Sequence, residues 1–106
     1  MFTEQRKSAR KVLKVRAMLV MDGQEGMIGR TADVGANGVS ITLPAPLQAG
    51  QAGQVSFDLF FDGKVATIKT RSKALYCVFS NGEFKVGFQF LNLDLSAMTL
   101  LARFLR

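Results

Sequence analysis

Hydrophobic side chains alternate with polar ones along most of the chain. Val15, Ala17, Leu19 and Met21 alternate with Lys14, Arg16, Met18 and Val20, the two-residue period of a strand. Asp22-Gly23 breaks the pattern, and Met27 to Ala32 predicts a second short strand. Residues 33–38 hold two glycines and an asparagine and predict an irregular loop. Val39, Ile41 and Leu43 then alternate with Ser40 and Thr42 until Pro44-Ala45-Pro46 ends the run. Beyond Gly50 and Gly53, Val55, Phe57, Leu59 and Phe61 alternate with Ser56, Asp58 and Phe60.

Asp62-Gly63 and Asn81-Gly82 are dipeptides that readily take the positive φ of a tight hairpin turn. Between them, Lys64 to Phe79 reads as one long or bulged strand; after them, Phe84, Val86, Phe88 and Phe90 alternate with Lys85, Gly87 and Gln89. The period changes at the end. Ala97, Leu100, Leu101 and Phe104 follow helical spacing, with Asp94 or Ser96 placed to cap the N-terminus. About six strands and one closing helix predict an all-β domain, an antiparallel barrel or sandwich with the helix plugging or flanking one open end.

The composition narrows what such a domain can do. At 106 residues, nearly half of them hydrophobic, one domain with a real core is expected. A single cysteine, Cys77, rules out an internal disulfide and suits a reducing cytoplasm. It falls within a hydrophobic strand, where packing explains it better than nucleophilic chemistry. The chain has no histidine, so the commonest metal ligand and the commonest general base are both missing. No nucleophile–base or paired-carboxylate constellation is present, and an enzyme is not expected. No metal site or cofactor is expected either. No stretch approaches the roughly 18 apolar residues of a membrane span, and Met1 to Lys14 lacks the apolar core of a signal peptide. A cytoplasmic location is the expectation.

The net charge of +6 is unevenly placed. Residues 1–16 carry six basic side chains against one acidic, whereas the remainder has eight against seven. The excess belongs to an N-terminal arm, residues 1–11, expected to be flexible ahead of a barrel over 12–106. Such an arm attracts phosphate in some form.

Two short motifs sharpen that expectation. The first is Arg6-Lys7-Ser8-Ala9-Arg10, and the second is Asp33-Val34-Gly35-Ala36-Asn37-Gly38. Guanidinium forks match phosphate oxygens and the O6/N7 edge of guanine, and a carboxylate accepts from the N1 and N2 hydrogens on the opposite edge. In order, spacing and strand context the two motifs resemble the PilZ domain, whose pattern is Arg-x-x-x-Arg followed by Asp/Asn-x-Ser-x-x-Gly. Arg30 to Asp33, Gly38 to Ile41, and Val86 to Asp94 extend the likeness over nearly the whole chain. Gly35 stands where that family usually has serine.

The resemblance implies a six-stranded antiparallel β-barrel with a C-terminal helix, and a bacterial cyclic di-GMP receptor as the function. It implies that Arg6 and Arg10 wrap across the ligand from a mobile arm, that Lys7 adds a phosphate contact, and that Asp33 reads guanine. Gly38 would supply positive φ or let the backbone approach the ligand. A hydroxyl missing at Gly35 should weaken binding by roughly 2–10-fold. A downstream protein partner of unknown identity is implied as well. Two other readings share the fold: an adaptor that binds proteins without cyclic di-GMP, favoured by Gly35, and a small barrel for single-stranded nucleic acid. The latter calls for exposed aromatics, yet of the nine phenylalanines only Phe60 and Phe79 stand out as exceptions to inward positions.

Overall fold

The computed structural model describes residues 9–106. Seven strands are found among them: β1 (Arg10–Val12), β2 (Arg16–Met21), β3 (Met27–Gly35), β4 (Gly38–Leu43), β5 (Ala52–Phe61), β6 (Lys64–Ser80) and β7 (Glu83–Phe90), followed by helix α1 (Leu95–Leu105). Every pairing is antiparallel, and the β3–β4 pairing closes β3-β2-β5-β6-β7-β4 into a six-stranded barrel. β1 is an added strand. It lies along β3 beyond the point where β2 leaves it, with Arg10 opposite Gly35 and Val12 opposite Asp33.

The alternation in the sequence becomes the wall of the barrel. Leu19 and Met21 of β2, Val55 and Leu59 of β5, Ile68 of β6 and Val86 of β7 point inward and are buried. The two hairpin dipeptides take the predicted backbone: Asp62 and Gly63 have φ of 53° and 69°, Asn81 and Gly82 have 53° and 77°. Asp94 caps the N-terminus of helix α1, its Oδ1 accepting the Ala97 amide at 2.8 Å. Its buried Ala97 and Leu101 join the core, and Phe104 meets Phe61 edge-on at 6.1 Å between ring centres. No helix among the described residues is long and apolar enough to cross a membrane.

Two features differ from the sequence expectation. Arg10–Val12 forms a strand although no alternation marks it, because all three side chains are exposed and the pairing with β3 alone defines it. The expected loop over residues 33–38 shrinks to Ala36 and Asn37, since Asp33–Gly35 completes β3 and Gly38 opens β4. The register shift between Thr31 and Asp33 is what hides this extension, for it puts one extra residue into the strand.

One surface ion pair braces the far end of the barrel. The Arg71 fork grips Asp22 with contacts of 3.0 and 2.7 Å, tying the β2–β3 turn to β6. That hydrogen bonding holds the Asp22 carboxyl below its ordinary pKa. A carboxyl lowered in this way supports the folded state above the ordinary aspartate range and loses that support as pH falls through its folded value.

The helix is integral to the core rather than an appendage. Leu101→Ala is expected to lower the unfolding free energy in a urea titration by about 2–5 kcal/mol, and Asp94→Ala by about 1 kcal/mol. Negligible effects from both would detach α1 from the folding unit.

Candidate functional site

The junction between β1 and β2 sets the site. The Thr31 hydroxyl donates to the Leu13 carbonyl and accepts the Val15 amide at 2.9 Å. Backbone bonds flank it, from Leu13 N–H to the Ala32 carbonyl at 3.1 Å and from Thr31 N–H to the Val15 carbonyl at 2.8 Å. Leu13 is buried beneath. With the chain fixed there, β1 has only one register on β3, and Arg10 comes to lie over Gly35.

From that position Arg10 reaches diagonally to Asp33. Its Nε and Nη2 approach Asp33 Oδ1 at 2.9 and 2.7 Å. The two side chains remain 41% and 30% exposed, so water competes and the pair is worth about 0–1 kcal/mol. Gly35 makes room for it. A Cβ there would sit 3.0 Å from Arg10 Nη1 and 3.2 Å from Arg10 Cγ. Gly35 is not among the residues with positive φ, so its role is space, not backbone freedom. The same holds for Gly38, where a Cβ would strike the Phe88 carbonyl of β7. The expectation of positive φ at Gly38 gives way to close strand packing.

A hollow of about 360 Å³ opens beside the Arg10–Asp33 pair. Ser40 stands opposite Asp33 on one side and Gly87 on the other, and Lys85 and Leu75 line the edge. The Tyr76 ring covers Gly87 so closely that any Cβ there would collide with it, an arrangement in which an aromatic shields a bare strand position. Tyr76 is what packs at Gly87. Ser40, Tyr76 and Lys85 were not singled out in the sequence. The bulge between Ala74 and Tyr76 shifts the inward positions of β6 from even to odd numbers, which conceals the face that Tyr76 occupies. Gly87, bare amid alternating large residues, was the available clue.

Of the sequence candidates, Arg10, Asp33 and Gly35 come together here. Gly38 lies at the start of β4 against β7. Arg6 and Lys7 lie outside the described residues. The site presents a carboxylate, a hydroxyl, a flat aromatic ring, one lysine and an arginine held by a weak pair. Such a set suits an anion joined to a planar heterocycle that carries N–H donors. Among the described residues, no three His, Cys, Asp or Glu side chains cluster as metal ligands would.

The sequence pattern of the PilZ domain matches residues 4–106. The chain belongs to the PilZ domain family. A search of curated proteins finds no match to it. Among solved structures, this PilZ domain is similar to the inhibitor of motility MotI/DgrA of Bacillus subtilis, with a TM-score of 0.86 and 12% identity over 96% of this chain. It spans 50% of that longer chain. It is also similar to the PilZ domain of YcgR from Escherichia coli, solved with c-di-GMP (TM-score 0.71, 17% identity, 96% of this chain and 89% of that one). The PilZ domain of CeSA from a cellulose-synthesizing bacterium gives a TM-score of 0.58 at 18% identity over 91% of this chain and 93% of that one. At these identities the likeness is one of fold.

The seat under Arg10 has a direct test. Gly35→Ser should leave the melting temperature within a few degrees, because its φ lies outside the left-handed region and surface changes cost little. The Arg10 Nε–H resonance should move, since the new Cβ displaces the side chain. An unmoved resonance would show that Arg10 does not rest on Gly35.

Proposed function

We propose that this PilZ domain is a cyclic di-GMP receptor that relays ligand binding to a protein partner in the bacterial cytoplasm. The observation that carries this reading is the convergence of Arg10 and Asp33, distant in sequence, beside Ser40, Tyr76 and Lys85. In this proposal Asp33 accepts from the N1 and N2 hydrogens of one guanine, and Tyr76 offers a stacking face. Arg10 leaves Asp33 for a phosphate or for the guanine O6/N7 edge, joined there by Arg6 and Lys7. Releasing a surface pair worth about 0–1 kcal/mol is a small cost against the roughly 8 kcal/mol of a micromolar complex.

Strand β1 gives the event a route outward. Lys11, next to Arg10, lies 5.2 Å from the centre of the Phe104 ring at the end of α1. A ligand that draws Arg10 away from Asp33 pulls on β1 and so on that cation–π contact, which is worth about 0.5–1 kcal/mol when exposed. The moving parts are therefore β1 and the end of α1, while the barrel stays as it is.

A second reading is an adaptor that binds proteins without cyclic di-GMP. Gly35 favours it, because Arg10 already rests there with Asp33 as its partner. Calorimetric titration with cyclic di-GMP separates the two, with GTP and a short oligonucleotide as controls. Saturable binding selective for cyclic di-GMP is the expected outcome. Arg10→Ala and Asp33→Ala should each weaken it by about 1.5–3 kcal/mol, and Tyr76→Ala by about 1–3 kcal/mol. Absence of binding by the folded protein would select the adaptor, and tighter binding of the oligonucleotide would select a nucleic-acid function.

A further inference from the structure

The outer face of β2 and β3 carries a second arrangement, apart from the hollow at Asp33. Arg16 stands directly opposite Arg30, and Met18 directly opposite Ile28. All four are exposed, Met18 and Ile28 by 54% each, and Val20 continues the apolar row along β2. Lys14 is exposed as well, its carbonyl 3.5 Å from Arg30 Nη2. Like charges set opposite one another across a sheet are destabilising. Among the described residues, none of these three cations has a carboxylate within ion-pair distance. Beside them, between the outer sides of β3 and β4 and the β6–β7 turn, lies a hollow of about 570 Å³. Lys14, Ile28, Arg30, Leu43, Pro44 and Glu83 line it.

We propose that this face and its hollow are a docking surface for a protein segment that combines acidic with aliphatic or aromatic side chains. Charge complementarity carries the argument. A carboxylate placed between Arg16 and Arg30 turns a repulsive cross-strand pair into two attractive ones. An apolar side chain seated against Met18, Val20 and Ile28 covers surface that now faces water, and methionine adapts its shape readily to such a partner. The concave hollow accepts a projecting side chain. Glu83 at its rim repels a continuous phosphate surface but tolerates a peptide whose acids face the arginines. The three apolar residues include no aromatic platform on which a base could stack.

The surface also lies where the site could influence it. Arg30 and Asp33 belong to one strand, three residues and roughly 10 Å apart. That the surface exists needs nothing from the cyclic di-GMP reading; that it reports the ligand rests on it.

The test selects binders from a random peptide library displayed on phage against the folded chain, then titrates the synthesised peptides by NMR. Selected sequences should be rich in Asp or Glu alongside Leu, Ile or Phe, and should shift amides of β2 and β3. Arg16→Glu, Arg30→Glu and Ile28→Ser should each weaken binding about tenfold or more. Arg103→Glu, which changes the charge equally on α1, should not. Titration of Arg16→Glu with cyclic di-GMP keeps the two proposals apart, because that variant should lose the peptide and leave the nucleotide titration as in the parent. Neutral or basic selected peptides, shifts confined to other faces, or indifference to charge reversal would overturn the docking surface. So would tighter partition onto phosphatidylglycerol–phosphatidylcholine vesicles, tighter binding of an oligonucleotide, or a dimer dissolved by Ile28→Ser, which would name a membrane, a nucleic acid or a second copy as the occupant.

Discussion

β3 has to serve three strands at once, and the architecture depends on how it does so. One edge pairs with β4 along most of its length, which closes the barrel. The other edge is divided: Met27–Arg30 pairs with β2 and Asp33–Gly35 with β1. The division requires the chain to step aside between β1 and β2 without leaving amides unpaired, since a buried unpaired amide costs about as much as a lost hydrogen bond. Thr31 meets that requirement through one hydroxyl, which donates to Leu13 and accepts from Val15. A valine of nearly the same shape could do neither. The position of Arg10 follows from this junction, and so does the ion pair with Asp33.

The hollow follows from two places where backbone or side chain must come close. Arg10 lies closely over Gly35, where a Cβ would crowd it, and Tyr76 lies over β7 only because Gly87 lacks a Cβ. Each glycine gives up side-chain packing on its own strand and receives a covering group from the next. The result is a recess whose floor is backbone and Ser40, and whose walls are an arginine and an aromatic ring. Leu19, Val55, Ile68 and Val86 of the barrel core do not line it. Variation at these positions can alter the site while Leu19, Val55, Ile68 and Val86 hold the fold.

How much of this could be read in advance depends on the range of the forces involved. The hairpins at Asp62-Gly63 and Asn81-Gly82 and the cap at Asp94 are decided by neighbouring residues, and the sequence shows them directly. Strands β2, β4, β5 and β7 are decided by alternation, which is also local. β1 is different: three exposed residues without alternation become a strand because β3 offers a free edge, and that edge exists only once the barrel has closed. The position of the bulge in β6 is hidden for a related reason. An extra residue at Leu75 is visible only against the register of β7. Asp33 and Arg10 were legible as chemistry, through motif spacing. That they bond to each other is a fact of topology, and no pattern within either motif announces it.

In the proposed receptor, the ion pair also bears on what kind of molecule the site would discriminate. A cation held by a carboxylate is a screened cation, and a simple anion gains little by approaching it, because separating the pair uncovers Asp33. A ligand gains most when it offers both an anion for Arg10 and hydrogen-bond donors for Asp33, since each partner lost is then replaced. The pair thus acts against monofunctional ligands by about the free energy of its own formation. At about 0–1 kcal/mol that is at most a factor of about five. A penalty of this size tunes selectivity without closing the site.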